Sequence, residues 1–242
     1  MLARIFSSAL LLLALSLPAC RPSLATPPTP SPASIVATAT PAPTLEPALT
    51  PGALPAVVTD LEAGVDVLFV RIPAGEWEHA SSTVEGMIDA WYVHGLEISL
   101  AGASQATLNS LDAALADLAG KTAAQDAAGA LQAANLVSAY VADLYDLFLP
   151  TPSADLRRLT MIERQLWLDA AAGDPHVIQG DFAQLQAIWQ RVVEPIRRDG
   201  GDAFADQFEA SLAAQAQYIQ ANDAAGLLAE TSRGMEMVRL LR

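Results

Sequence analysis

One cysteine, one lysine and three histidines are all that this 242-residue chain carries of those types, and each shortage excludes something. A lone thiol, Cys20, rules out an intramolecular disulfide. With so few thiols and imidazoles, most nucleophilic catalytic sets lack members. Basic residues are scarce too: thirteen Lys and Arg face twenty-seven Asp and Glu, a net charge of −14. Nucleic acid and anionic lipid surfaces repel such a chain. The Gly-Lys-Thr at 120–122 has Leu115 where a phosphate-binding loop needs its first Gly, and no strand leads into it. There is no Gly-x-Ser-x-Gly elbow and no His-Glu-x-x-His pair.

What is present starts at the N-terminus. Arg4 supplies a short positive segment, and Ile5 to Leu17 is apolar apart from Ser7, Ser8 and Ser16. That run is too short for a comfortable membrane span and reads as a secretory signal over residues 1–19. Leu17-Pro18-Ala19-Cys20 resembles the lipobox of bacterial lipoprotein signal peptides. The resemblance implies cleavage before Cys20, a thioether-linked diacylglycerol on its sulfur, and an acyl chain such as palmitate on the freed amine. It implies a cell-membrane protein held by lipid at the extracytoplasmic face. Two or more chains make a lasting anchor where one binds only reversibly. An ordinary cleaved signal with an incidental cysteine, or an uncleaved signal anchor, are the alternatives.

Residues 20–56 carry ten of the sixteen prolines, with Thr, Ser and Ala filling most of the remainder and Arg21 and Glu46 as the only charges. Proline removes donors and resists helix, so a disordered, extended tether is expected, reaching on the order of 100 Å at about 3.1 Å per residue. Its Thr-Pro and Ser-Pro pairs also permit O-glycosylation.

From residue 57 onward, alanine-rich helical periodicity dominates, and an all-α fold is expected. Thr59-Asp60-Leu61-Glu62 reads as a capping box opening a first helix that Pro73 stops, although the β-branched run Val65 to Ile72 also fits a strand. Further helices are expected over about 80–100, 104–120 and 126–148, the last capped by Asp126. The pattern then restarts. Shifted by 98, Leu61, Leu68, Ala74-Gly75-Glu76 and Trp91 meet Leu159, Leu166, Ala172-Gly173-Asp174 and Trp189. After a one-residue adjustment, Asp126-Ala-Ala-Gly meets Asp223-Ala-Ala-Gly. These matches predict duplicated antiparallel four-helix units, about eight helices, over 57–149 and 150–242, joined at Pro150-Thr151-Pro152. The copies differ in charge. The first has Arg71 and Lys121 against thirteen acids, a balance of −11; the second has nine Arg against thirteen, a balance of −4. Solubility is the simplest use of the acidic faces.

Candidate chemistry concentrates in Trp91-Tyr-Val-His94-Gly-Leu-Glu97, where His94 and Glu97 share a helix face and offer two ligands to iron, copper or zinc. This element resembles the His-x-x-Glu of the imelysin and EfeO-type periplasmic helical proteins, duplicated bundles linked to iron uptake. That family usually has Gly two residues before the His, where this chain has Tyr92. The second copy carries Val192 and Pro195 at the matching places, so the fold does not need the pair twice. A histidine hydrogen-bonded to Glu97 or to a carbonyl is the structural reading of the same residues. Trp77-Glu78-His79 and Asp174-Pro175-His176 put an acid and a histidine at equivalent helix entries, with His79 an outside candidate ligand. Met235 and Met237 diverge by about 200° on a helix, which sends one inward and one outward. Trp91 and Trp189 read as core anchors.

Three functional expectations follow. The first is a lipid-anchored, non-catalytic helical domain that binds a small solute or a protein beyond the membrane, with no cofactor. The second is metal binding or delivery, iron or another transition metal held by His94 and Glu97. The third is a lipid-anchored hydrolase, for which no residue spacing singles out a catalytic set.

Overall fold

The computed structural model describes residues 53–149 and 153–241. The signal segment, Cys20, nearly all of the tether and the Pro150–Pro152 joint lie outside the described residues. Those described are helical and contain no strand: α1 Ala56–Arg71, α2 Trp77–Leu100, α3 Gln105–Ala123, α4 Ala127–Phe148, α5 Ser153–Ala172, α6 Pro175–Arg198, α7 Asp202–Ala221 and α8 Ala224–Arg239.

Val65 to Arg71 is helical, with Ile72 as its C-cap, because Leu61, Val65, Leu68 and Ile72 form one buried stripe at helical spacing. The expected capping box is absent. α1 starts four residues earlier, after Pro55, since Val57 and Val58 are also buried and draw the helix back to them. The Thr59 hydroxyl sits inside the first turn and donates to the Ala56 carbonyl at 2.7 Å. Asp126 caps α4 as its sequence position implies, accepting from the Gly129 amide at 3.0 Å. Asp223 repeats the bond on Gly226 at 2.9 Å. A Cβ at either glycine would press on the capping carboxylate, which is the local reason for the repeated Asp-Ala-Ala-Gly.

The turns repeat as well. Gly75 and Gly173, both with φ near +75°, close the first turn of each copy in the left-handed region. Gln125 and Asn222 occupy that region, at φ 55° and 51°, just before the capping aspartates. The second and third helices of each half therefore begin and end at equivalent places, 97 or 98 residues apart, whereas α8 stops short of the length of α4.

In the first half α1 packs on α2, α2 on α3, α3 on α4, and α4 closes back on α1; α5 to α8 repeat the ring. Each ring encloses its own apolar core. Leu61, Leu68, Leu111 and Leu144 are fully buried in the first, and Leu159, Leu166, Trp189 and Phe208 in the second. Each such side chain contributes about 1.5–3 kcal/mol by leaving water. Trp91 and Trp189 are both core residues, at 4% and 1% exposure. The Trp91 indole donates to Asp112, whereas Trp189 packs on Phe208 with ring centroids 4.7 Å apart.

Candidate functional site

The two rings meet along α4 and α5, which pack closely. Internal duplication sets up a second such meeting, between α8 and α1, but those helices stand apart and leave a groove. One hollow of about 360 Å³ lies between α1, α5 and α8, and includes Asp66, Phe69, Arg164, Trp167, Met235 and Arg239 in its wall. A second hollow, about 270 Å³, continues toward the start of α1 past Glu62, Tyr145 and Arg157, and shares Asp66 and Arg239 with the first.

The groove floor is a layer of arginines from the second half against acids from the first. Arg164 pairs with Asp66, residues that occupy equivalent positions 98 apart, and donates to Ser138 at 3.1 Å. Its guanidinium also lies 4.5 Å from the centre of the Phe69 ring. Arg157 approaches Glu62 at 3.4 Å and covers the Tyr145 ring, and the Tyr145 hydroxyl donates to Glu62 at 2.5 Å. Burial, and then the Glu62 carboxylate, push the Tyr145 phenol up to about 12. On the packed side, Arg158 holds Asp143 at 2.8 Å and Asp146 at 2.6 Å, and α5's own Asp155 binds Arg191 of α6 at 2.8 Å. The Arg191 guanidinium holds the Asp155 carboxyl below its usual range. Several acids of the −11 half are thus neutralised by arginines of the other, a use of the charge asymmetry beyond solubility.

His94 and Glu97 do share a face of α2, with Nδ1 and Oε1 3.4 Å apart; His94 is exposed and Glu97 half-buried. Among the described residues, no three His, Cys, Asp or Glu side chains gather as a metal would require. The pair therefore presents two donors. His79 is exposed and stands 3.7 Å from Glu76, away from His94 on the same helix. Asp174 is the N-cap of α6, accepting from the amides of His176 and Val177, so the acid before His176 serves the backbone. Met237 is buried in the second core and Met235 turns outward to the groove, as helical geometry implies.

Periodicity did not reveal two acids removed from water, Glu163 fully buried and Asp181 half-buried. Glu163 of α5 is completely buried, its two oxygens receiving the Gln215 amide at 2.9 and 3.1 Å, with Gly234 of α8 pressed against the carboxyl. Burial pushes its pKa up to about 8, with the Glu230 carboxylate adding to the rise. Asp181 of α6 faces Asp169 of α5, and burial followed by that neighbouring carboxylate raises it to about 7. Gln165 donates to Asp169 at 3.0 Å. A heptad-like reading would have marked position 163 only as a polar interruption in the apolar stripe Leu159, Ile162, Leu166.

No family model, curated protein or solved structure matches the chain. Of the hollows in the second half, an apolar one of about 150 Å³ near Ile178 and Tyr218 is smaller than most ligands need. The groove is large enough for a small organic molecule, combines Phe69, Trp167 and Met235 with converging charges, and is the better candidate. None of the described helices is long and apolar enough to cross a membrane.

Proposed function

We propose that this chain is a membrane-anchored extracytoplasmic lipoprotein whose non-catalytic helical domain binds a small solute in the groove between its halves. The observation that carries the reading is the groove itself, about 360 Å³ bounded by aromatic and charged side chains from three helices. Ligand sites are commonly concave, mostly apolar and furnished with a few placed polar groups. Here Phe69, Trp167 and Met235 offer the apolar wall, and Arg164, Asp66 and Arg239 the polar groups. Charges of both signs suit a zwitterionic or amphipathic molecule with a flat apolar body.

The anchor is the other half of the proposal. Diacylglycerol on Cys20 and a proline-rich tether would hold the domain beyond the membrane while leaving the groove open to solutes. A Cys20→Ser variant should leave the membrane fraction. Binding is tested with benzoate, benzylamine and phenylalanine as anionic, cationic and zwitterionic probes, read by ligand-observed NMR on the full chain. Saturable binding that Trp167→Ala and Arg164→Met each weaken supports the reading. Absence of saturable binding by all three probes, or binding indifferent to both variants, overturns it.

A further inference from the structure

The outward face of α2 changes character along its length. Glu78, Glu85 and Asp89 are exposed along one line of the first four turns. The same line then becomes apolar: Tyr92, Val93, Leu96 and Leu100 are 76, 72, 70 and 67% exposed. Spaced at i, i+1, i+4 and i+8, these four side chains form one continuous stripe. Large apolar side chains grouped on a surface mark an interaction site, whereas scattered ones are ordinary.

The duplicated half supplies an internal control. The equivalent helix, α6, exposes the matching positions to the same class of surface, yet fills them with Gln190, Arg191, Glu194 and Arg198. At the three acidic positions it has His176, Ala183 and Ala187. Both rings have the same helix order and packing, so neither the apolar stripe nor the acidic run is demanded by the bundle. Removing four polar side chains from an exposed face lowers solubility, and the fold receives no compensating burial.

We infer that the outward face of α2 docks a cationic amphipathic helix of a partner protein, its apolar residues on Tyr92, Val93, Leu96 and Leu100 and its basic residues on Glu78, Glu85 and Asp89. Charge complementarity selects this occupant. α2 contains no Lys or Arg, and the half to which it belongs has a balance of −11. A second copy laid parallel would oppose acid to acid, and one laid antiparallel over the full length would set acids on the apolar stripe. An anionic bilayer would be repelled by the same carboxylates. A helix about 36 Å long gives a partner five or six turns of contact, the scale of helix-in-groove and helix-on-helix recognition. The inference is independent of the solute groove, which lies between other helices.

The test uses the full-length chain and a fluorescent 21-residue helical peptide of Leu, Ala and Lys, with leucines at one end of its binding face and lysines at the other. A Glu-for-Lys peptide is the charge control. Tyr92→Gln, Val93→Arg, Leu96→Glu and Leu100→Arg together transplant the side chains of α6, and Glu85→Lys with Asp89→Lys forms a second variant that keeps the stripe. The wild type should bind the lysine peptide at least tenfold more tightly than either variant, with affinity falling as salt rises, and should ignore the glutamate peptide. Equal binding by wild type and the Glu85/Asp89 variant overturns the inference. So does sedimentation of the wild type as a dimer that the stripe variant abolishes, since a second copy then covers the face. Co-sedimentation with 3:1 phosphatidylcholine–phosphatidylglycerol vesicles, lost in the stripe variant, overturns it in favour of a lipid surface.

Discussion

Replacing Glu163 by glutamine should remove a pH dependence of folding that the wild type cannot avoid. Glu163 has no exposed surface, its carboxyl is met by Gln215 and pressed by Gly234, and its pKa stands at about 8 against an ordinary 4.5. Below pH 4.5 the acid is neutral in both folded and unfolded chains and contributes nothing to the balance. Between pH 4.5 and 8 the unfolded chain ionises and the folded one does not, so stability is lost as pH rises through that window. At about 1.4 kcal/mol per unit, the full loss is about 5 kcal/mol. That is a large part of the 5–15 kcal/mol or so typical of a domain. A glutamine is neutral throughout and similar in shape, so Glu163→Gln should escape the loss. Urea unfolding followed by circular dichroism at pH 5, 7 and 9 measures it. The wild type should fall relative to the variant by about 4 kcal/mol between the two extremes, because part of the window lies below pH 5. A difference that stays constant with pH would refute the reasoning, since the buried carboxyl would then be ionised, or solvated, in the folded chain.

Three further expectations rest on neighbouring features. Gly234→Ala drives a methyl into the Glu163 carboxyl and should cost about 1–3 kcal/mol, while Gly180→Ala, with open space around it, should gain about 1 kcal/mol; thermal unfolding compares them. Asp181→Asn should stabilise the protein more at pH 8 than at pH 4, because a carboxyl raised to about 7 loses stability as pH rises from its ordinary value, and paired pH-dependent melts show the sign. Arg164→Ala removes a nearly buried guanidinium from Asp66, Ser138 and the Phe69 face and should cost about 2–4 kcal/mol. In a double-mutant cycle with Asp66→Ala, strict additivity would deny the pairing.

Much of the fold was legible because its signals are local. Asp126 and Asp223 announce helix starts through a carboxylate and an amide three residues apart, and Gly75 and Gly173 announce turns through a backbone conformation that other residues resist. Repetition of these signals at a shift of 97 or 98 was enough to count eight helices and two halves. The start of α1 was misread for a related reason. Thr59 and Glu62 have capping-box spacing, but burial of Val57 and Val58 in the first core moved the boundary, and packing is not a local signal.

The candidate site was less legible. His94 and Glu97 stood out by spacing and do lie 3.4 Å apart, yet a two-residue motif says nothing of a third donor from another helix. The apolar stripe of α2 was in plain view as Tyr92, Val93, Leu96 and Leu100, but its exposure becomes known only when Trp91 and Ile98 are seen to take the inward positions. The meeting of Asp66 with Arg164 joins residues 98 apart. Nothing in either neighbourhood encodes that distance.

By itself, the sequence determined that the chain is helical, where the aspartate-capped helices begin, and that the pattern occurs twice, because those choices depend on residues within a few positions of one another. Tertiary structure decided the rest: that α4 packs on α5 while α8 stands off from α1, that a groove opens between them, and that Glu163 is sealed from water. The reason is physical: dielectric surroundings and the spacing of helices depend on all the side chains that fill the gap, and those come from distant parts of the chain.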